Sequence, residues 1–323
     1  MSQSKSLWVN QNGFKFGTSR FGTHGAETGS VKQIVHDGDT VNVMLFKNLG
    51  VRFLGIDTPE ISFEFPGTNS FVSSKDPRWK DYFTSGQWKE NLEIPEELMT
   101  YLERKIGDGT DVHTNHYTLA DEAQKSLEDM LQNDLTLSGK KKEEFLFFLA
   151  FGNEFLDGYG RLLCYIHPDN ENFSTEPPSK ESYNERQLAA GYGVPYFIWP
   201  NIQPFLSIKP FAEENVKPDK FWETVNKSTK LQNAREAFKS ARNRKIGVYQ
   251  TDKELKLSAF ELRFVSRIRN GRKTGPDRYI IDLSSPGLNS LYPPADYHLI
   301  PNPEDRLFIP KEYIPIFKMF GWK

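Results

Sequence analysis

The chain has 323 residues, 37% hydrophobic and 14% aromatic, with a formal net charge of −2. A mean hydropathy of −0.61 and a pI near 6.4 exclude a uniformly basic nucleic-acid binder, because affinity for phosphate backbones comes from clustered Lys and Arg. No apolar run reaches membrane-spanning length, and the single cysteine, Cys164, excludes an intrachain disulfide. The length accommodates one large domain or two modest ones. The opening MSQSKSLWVNQNG lacks the charged-then-apolar layout of a secretory signal, so the chain as given reads as cytoplasmic; a secreted protein whose signal had been removed would read the same.

Residues 1–30, rich in Gly, Ser, Thr and Asn, are expected to form an N-terminal arm. A first strand is predicted over 31–35, and Val41, Val43 and Leu45 alternate as a second, half-buried one. Asn48-Leu49-Gly50 reads as the turn into a third strand over 51–56. Two acidic clusters bracket this region: Asp37-Gly38-Asp39-Thr40, and Arg52-Phe53-Leu54-Gly55-Ile56-Asp57-Thr58-Pro59-Glu60. Arg52 and Asp57 have opposite parity, so the strand must bend or end before Asp57 if both are to reach one site. Pro59 can end the ladder and push Thr58 into an extended conformation, leaving its carbonyl available to a cation.

Asp39 and Asp57 can offer carboxylate oxygens to a hard divalent cation. Calcium accepts flexible oxygen shells completed by carbonyls and waters; magnesium and manganese accept the same oxygen chemistry and are the lesser expectation. Glu60 can act on a water beside the cation, and Arg52 offers a planar fork that fits phosphate oxygens. Cation, base and phosphate clamp together point to phosphodiester hydrolysis. Asp-Gly-Asp alone would be a turn with solvated carboxylates.

Residues 61–112 carry Trp79, Trp88 and several prolines without a sustained period, and are expected as an insertion with its own small hydrophobic cluster, or as a lid that shapes the substrate. The pair His113 and His116 has metal-ligand spacing but no accompanying ligand cluster. A capping box at Thr118–Asp121 and the spacing of Leu119, Ala123, Leu127 and Leu131 predict an amphipathic helix. Residues 145–151 and 161–166 read as a hairpin about Asp157-Gly158-Tyr159-Gly160, with Arg161 opening the second strand and Cys164 a buried small hydrophobe within it. Ser182 and Glu185 form a capping box for a short helix that closes at Gly191, and an aromatic stretch follows at 192–201. A single helix over 221–246 is predicted with a basic face. In the remainder, 262–265 and 279–283 read as a β-hairpin ahead of a Pro-rich tail.

Asp-Gly-Asp-Thr, Arg-x-x-Gly-Ile-Asp-Thr-Pro-Glu and Asp157-Gly158-Tyr159-Gly160-Arg161, in that order, resemble the motifs of the staphylococcal nuclease-like (thermonuclease) family. The resemblance covers 31–250, interrupted by the insertion at 61–112, and leaves 251–323 as a C-terminal accessory region. It implies an α+β protein: a five-stranded OB-fold barrel packed with three helices, here with a C-terminal β-hairpin extension. It further implies calcium held by Asp39, Asp57 and the Thr58 carbonyl, Glu60 as general base, and Arg52 and Arg161 on the phosphate. Tyr159 and Tyr196 are implied to line the nucleotide pocket, where stacking tolerates any base. The implied reaction is hydrolysis of DNA or RNA to 3′-phosphate products, by a monomer with no membrane partner and with single strands favoured. Gly158 stands where the family pattern has a lysine, so one phosphate contact is missing. The rival expectation is a non-catalytic OB-fold module that binds nucleic acid; a third is a calcium site serving stability alone.

Overall fold

The computed structural model describes residues 7–9, 15–21, 34–44, 48–68, 70–90, 92–168, 181–201, 216–266 and 275–323. Strand β1 (Leu7–Val9) pairs antiparallel with β2 (Lys15–Phe21), and β2 continues into the main sheet. The 1–30 stretch, expected as an arm, therefore supplies a full strand. Its inward positions are Gly17, Ser19 and Phe21, two of them too small to give an apolar signal. Strands β3 (Val35–Asp37) and β4 (Thr40–Met44) flank a tight turn at Gly38-Asp39. Residues 31–33 and Leu45 of the predicted strands lie outside the described residues. Asn48-Leu49-Gly50, expected as a turn, instead opens β5 (Asn48–Phe53), in register with β4 through Thr40 opposite Arg52.

The chain bends at Leu54 into β6 (Gly55–Asp57). Gly55 has φ of 77°, and a side chain there would come within 2.6 Å of the Tyr165 hydroxyl, so this position sets the bend. The break needed for Asp57 is thus made by glycine, ahead of Pro59. Strands β7 (Ser62–Glu64) and β8 (Phe71–Ser73) form a hairpin, followed by helices α1 (Arg78–Thr84), α2 (Gln87–Glu90) and α3 (Glu96–Ile106). The long α4 (Val112–Ser138) starts before the predicted capping box, and the Thr118 hydroxyl donates to the Thr114 carbonyl within the helix. A buried stripe of Val112, His116, Leu119, Ala123 and Leu127 carries its period back through the histidines.

Strands β9 (Leu146–Leu156) and β10 (Leu162–His167) form the predicted hairpin, with Cys164 buried. The order β2-β9-β10-β5-β4 closes back on β2, giving a five-stranded mixed barrel in which β5 and β10 run parallel. Helix α5 (Tyr183–Ala189) has the predicted Ser182/Glu185 capping box, and β11 (Val194–Ile198) follows it. The single helix expected over 221–246 is two: α6 (Pro218–Lys227) and α7 (Thr229–Asn243), parted where the Ser228 hydroxyl accepts from the Leu231 amide. Helix α4 packs on β3 and α5, α5 on β10 and α7, and α7 on β11.

The last quarter departs most from expectation. Residues 262–265 are helical, within α8 (Ala259–Ser266), where Ser258 and Glu261 exchange capping hydrogen bonds. The apolar run Leu262 to Val265 looked like a strand because nearly every face of this short helix is buried. The hairpin forms instead between β12 (Tyr279–Asp282) and β13 (Arg306–Ile309), ahead of α9 (Ile314–Met319). β13 also pairs parallel with β11, whose other edge carries β6, so a second sheet runs β12-β13-β11-β6. Besides the barrel core, a second core gathers Phe63, Trp79, Trp88 and Leu102 with Leu262, Tyr297 and Phe308. The insertion and the C-terminal region therefore share one hydrophobic cluster. No helix among the described residues is long and apolar enough to cross a membrane.

Candidate functional site

Two backbone features aim the acidic groups. The Gly38-Asp39 turn lies so close to α4 that a side chain at Gly38 would come within 2.6 Å of the Ala123 β-carbon. Gln187 on α5 locks this contact by donating to the carbonyls of Gly38 (2.8 Å) and Ala123 (2.9 Å). At the bend after β5, buried Asn184 donates to the Leu54 carbonyl at 2.8 Å and accepts from the Ile166 amide at 3.1 Å. Both braces come from the Asn-Glu-Arg-Gln stretch of α5.

Asp39 is fully buried. One carboxylate oxygen accepts from Arg52 Nη1 at 2.6 Å and from the Thr40 hydroxyl at 3.1 Å, and the other from the Thr58 amide at 3.0 Å. Arg52 Nη2 donates to Asp57 Oδ1 at 2.5 Å, so one guanidinium bridges the two aspartates. Glu60 is fixed through its backbone: its amide donates to His116 Nε2 at 3.0 Å. Its carboxylate accepts from Arg263 Nη1 at 2.7 Å and lies 3.8 Å from Arg52. Arg263 also grips Asp57 with both prongs, at 2.9 and 2.7 Å.

Arg263 and His116 were not expected in these roles. Arg263 sits in an apolar run more than two hundred residues from Asp57, with no local signal. The His113/His116 pair was noted only for its metal-ligand spacing, and His116 spends its Nε2 on the Glu60 amide. Among the described residues, no three His, Cys, Asp or Glu side chains converge as a metal-ligand group, and Arg52 stands between Asp39 and Asp57.

The electrostatics follow from burial against pairing. Burial pushes the Asp39 carboxyl up to about 8; Arg52 limits the rise, and Asp37 and Asp57 add to it. Burial opposes the charge on Asp57 too, but Arg263 and Arg52 outweigh it and hold that carboxyl below its ordinary range. Glu60 is raised by burial against the pull of the same two arginines. Burial drives His116 down to about 4, so it is neutral at physiological pH and can accept the Glu60 amide.

Arg52, Glu60, Arg161, Tyr159 and Tyr196 all line one cleft of about 940 Å³, together with Arg263, Arg278 and Phe71. Asp39, Asp57 and Thr58 lie buried behind it. Arg161 pairs with Asp157 through Nε at 2.7 Å and lies over the Tyr159 ring, 5.5 Å from its centroid. Tyr159 is 65% exposed. Tyr196 packs its ring on Phe308 and Phe260, at 4.8 and 5.6 Å between centroids, and its hydroxyl accepts from Arg278. Its ring faces are thus largely spent inside the protein.

A hard cation at Asp39 and Asp57 would have to displace Arg52 from between them. The carboxylates of Asp39 and Asp57 supply oxygens, and the buried Thr58 hydroxyl has no hydrogen-bond partner among the described residues. The raised Asp39 carboxyl is likewise a group that a divalent charge would satisfy. No protein-family model matches the chain, and no curated protein matches it.

Proposed function

We propose that this protein is a metal-dependent phosphodiesterase of the staphylococcal nuclease-like type, hydrolysing DNA or RNA to 3′-phosphate products. The observation that carries the reading is the double role of Arg52: it bridges Asp39 and Asp57 while lining the same cleft as Glu60 and Arg161. Asp39, Asp57 and the Thr58 carbonyl would hold calcium, which when bound supplies Lewis acidity and orients the phosphate.

The chain's own residues do the rest. Glu60, backbone-anchored by His116, takes the proton from the attacking water. Arg52 and Arg161 hold phosphate oxygens and stabilise the charge that grows on them. Tyr159 offers an exposed ring to a base, a contact that tolerates any sequence.

The test is digestion of single-stranded DNA and of RNA with calcium, with a chelator, and with Glu60→Gln. Cleavage is expected only with calcium, and a loss of about 10²–10⁴-fold in Glu60→Gln. Intact substrate under all conditions would overturn the reading. The rival reading, a non-catalytic OB-like binding module, draws on the grip of Arg263 on both Asp57 oxygens. It requires a gel shift of nucleic acid without cleavage.

A further inference from the structure

Arg263 belongs to the C-terminal region, outside the stretch that resembles the nuclease family, yet it makes three contacts with the acidic cluster. Its fork donates to Asp57 Oδ1 at 2.9 Å and Oδ2 at 2.7 Å, and Nη1 also donates to Glu60 at 2.7 Å. The side chain is 19% exposed, so these bonds are poorly screened. Helix α8 is itself held firmly. Tyr82 donates to the Val265 carbonyl at 2.7 Å, Lys105 pairs with Glu261 at 2.6 Å, and Tyr297 donates to Glu261 at 3.0 Å.

The hydrogen-bond geometry gives the consequence. Asp39, Asp57 and Glu60 are contacted by two guanidinia, Arg52 and Arg263. Asp57 Oδ1 accepts from both arginines, and Oδ2 accepts from Arg263. Guanidinium donors thus take three of the four lone-pair directions of the Asp57 carboxylate, so a divalent cation that takes Asp57 as a ligand competes with Arg263 for its oxygens.

We propose that Arg263 is a positioning residue that serves as the site's internal counter-ion: it holds Asp57 and Glu60 in place without a cation, and competes with a divalent cation for Asp57. This rests on the reading of Asp39 and Asp57 as cation ligands. It predicts a sign that a merely structural role would not give. Removing a supporting residue loosens a site and weakens binding, whereas removing a competitor strengthens it.

The experiment is calorimetric titration of calcium chloride into the nucleic-acid-free full chain, as wild type, Arg263→Met and Arg263→Lys. Far-UV circular dichroism checks the fold of each. Arg263→Met is expected to bind calcium about ten-fold tighter or more. Arg263→Lys, which keeps the charge but loses the two-pronged grip, shifts the same way by less, and keeps the test open if the methionine variant does not fold. Thermal denaturation should show both variants gaining more from calcium than wild type does. Equal or weaker affinity in the folded variants overturns the competition while leaving the cation reading intact. An absence of heat in all three proteins overturns both.

Discussion

His116 makes stability depend on pH with a sign fixed by its surroundings. The ring is 1% exposed, accepts the Glu60 amide at 3.0 Å, and lies edge-on to Phe63 with centroids 4.9 Å apart. Burial lowers its pKa from 6.5 to about 4, against a backbone hydrogen bond with Leu257 and the Asp57 charge, which raise it, while Arg263 adds to the lowering. Between those values the folded protein keeps the imidazole neutral, while the unfolded chain protonates it. The unfolded state then binds more protons, so stability rises with pH and is lost on acidification through that window. At roughly 1.36 kcal/mol per pH unit, this shift corresponds to about 3 kcal/mol. His116→Gln keeps an acceptor for the Glu60 amide but cannot titrate. Urea denaturation of both proteins, followed by tryptophan fluorescence from neutral pH down to about pH 4 without divalent cation, isolates the difference. Wild type should lose about 3 kcal/mol more than the variant over that range. Asp39 and Glu60, both raised, contribute with the opposite sign in both proteins and cancel in the comparison. Parallel pH dependences would refute the assignment of a buried, neutral His116.

Asn184→Leu should destabilise the fold by about 2–4 kcal/mol in urea, because it strands the Ile166 amide and the Leu54 carbonyl in a buried setting. A stability unchanged within a few tenths would mean that the bend after β5 does not depend on it. Arg161→Ala should cost at most about 1 kcal/mol of stability, since its pair with Asp157 is partly exposed. The same variant should lower cleavage of single-stranded DNA by about 10²-fold or more; unchanged kinetics with retained binding would remove Arg161 from the phosphate site.

The barrel was legible wherever its strands alternate with large apolar residues. Val41 and Val43 announce themselves by period, residues 145–151 by an unbroken apolar run ahead of a glycine-rich turn, and the Ser182/Glu185 box marks α5 by local chemistry. The strand at Lys15–Phe21 was hidden because its inward positions include Gly17 and Ser19, which fit the barrel without a hydrophobic signature. Helix α8 was misread as a strand for the reverse reason: burial on nearly all sides removes the polar face that reveals a helical period. At the site, Arg52, Asp39, Asp57 and Glu60 lie within one short stretch, so their spacing could be reasoned about residue by residue. Arg263 and His116 reach the cluster only through tertiary packing, and no neighbour in sequence points to either.

That packing explains why the segment at 61–112 and the C-terminal region belong together. Trp79, Trp88 and Leu102 of the insertion and Leu262, Phe264 and Phe308 of the C-terminal region bury their apolar area against each other. Each residue of that size contributes about 1.5–3 kcal/mol only while its counterpart is present, so neither segment has a complete core alone. The link continues into backbone structure: β13 pairs with β11, β11 pairs with β6, and β6 ends on Asp57. Helix α8 delivers Arg263 to the same aspartate. The acidic cluster is therefore held from three sides, by the barrel turn through Asp39, by α4 through His116 and by the shared lobe through Arg263. A site pinned this way gains precision from elements that carry none of its recognisable motifs.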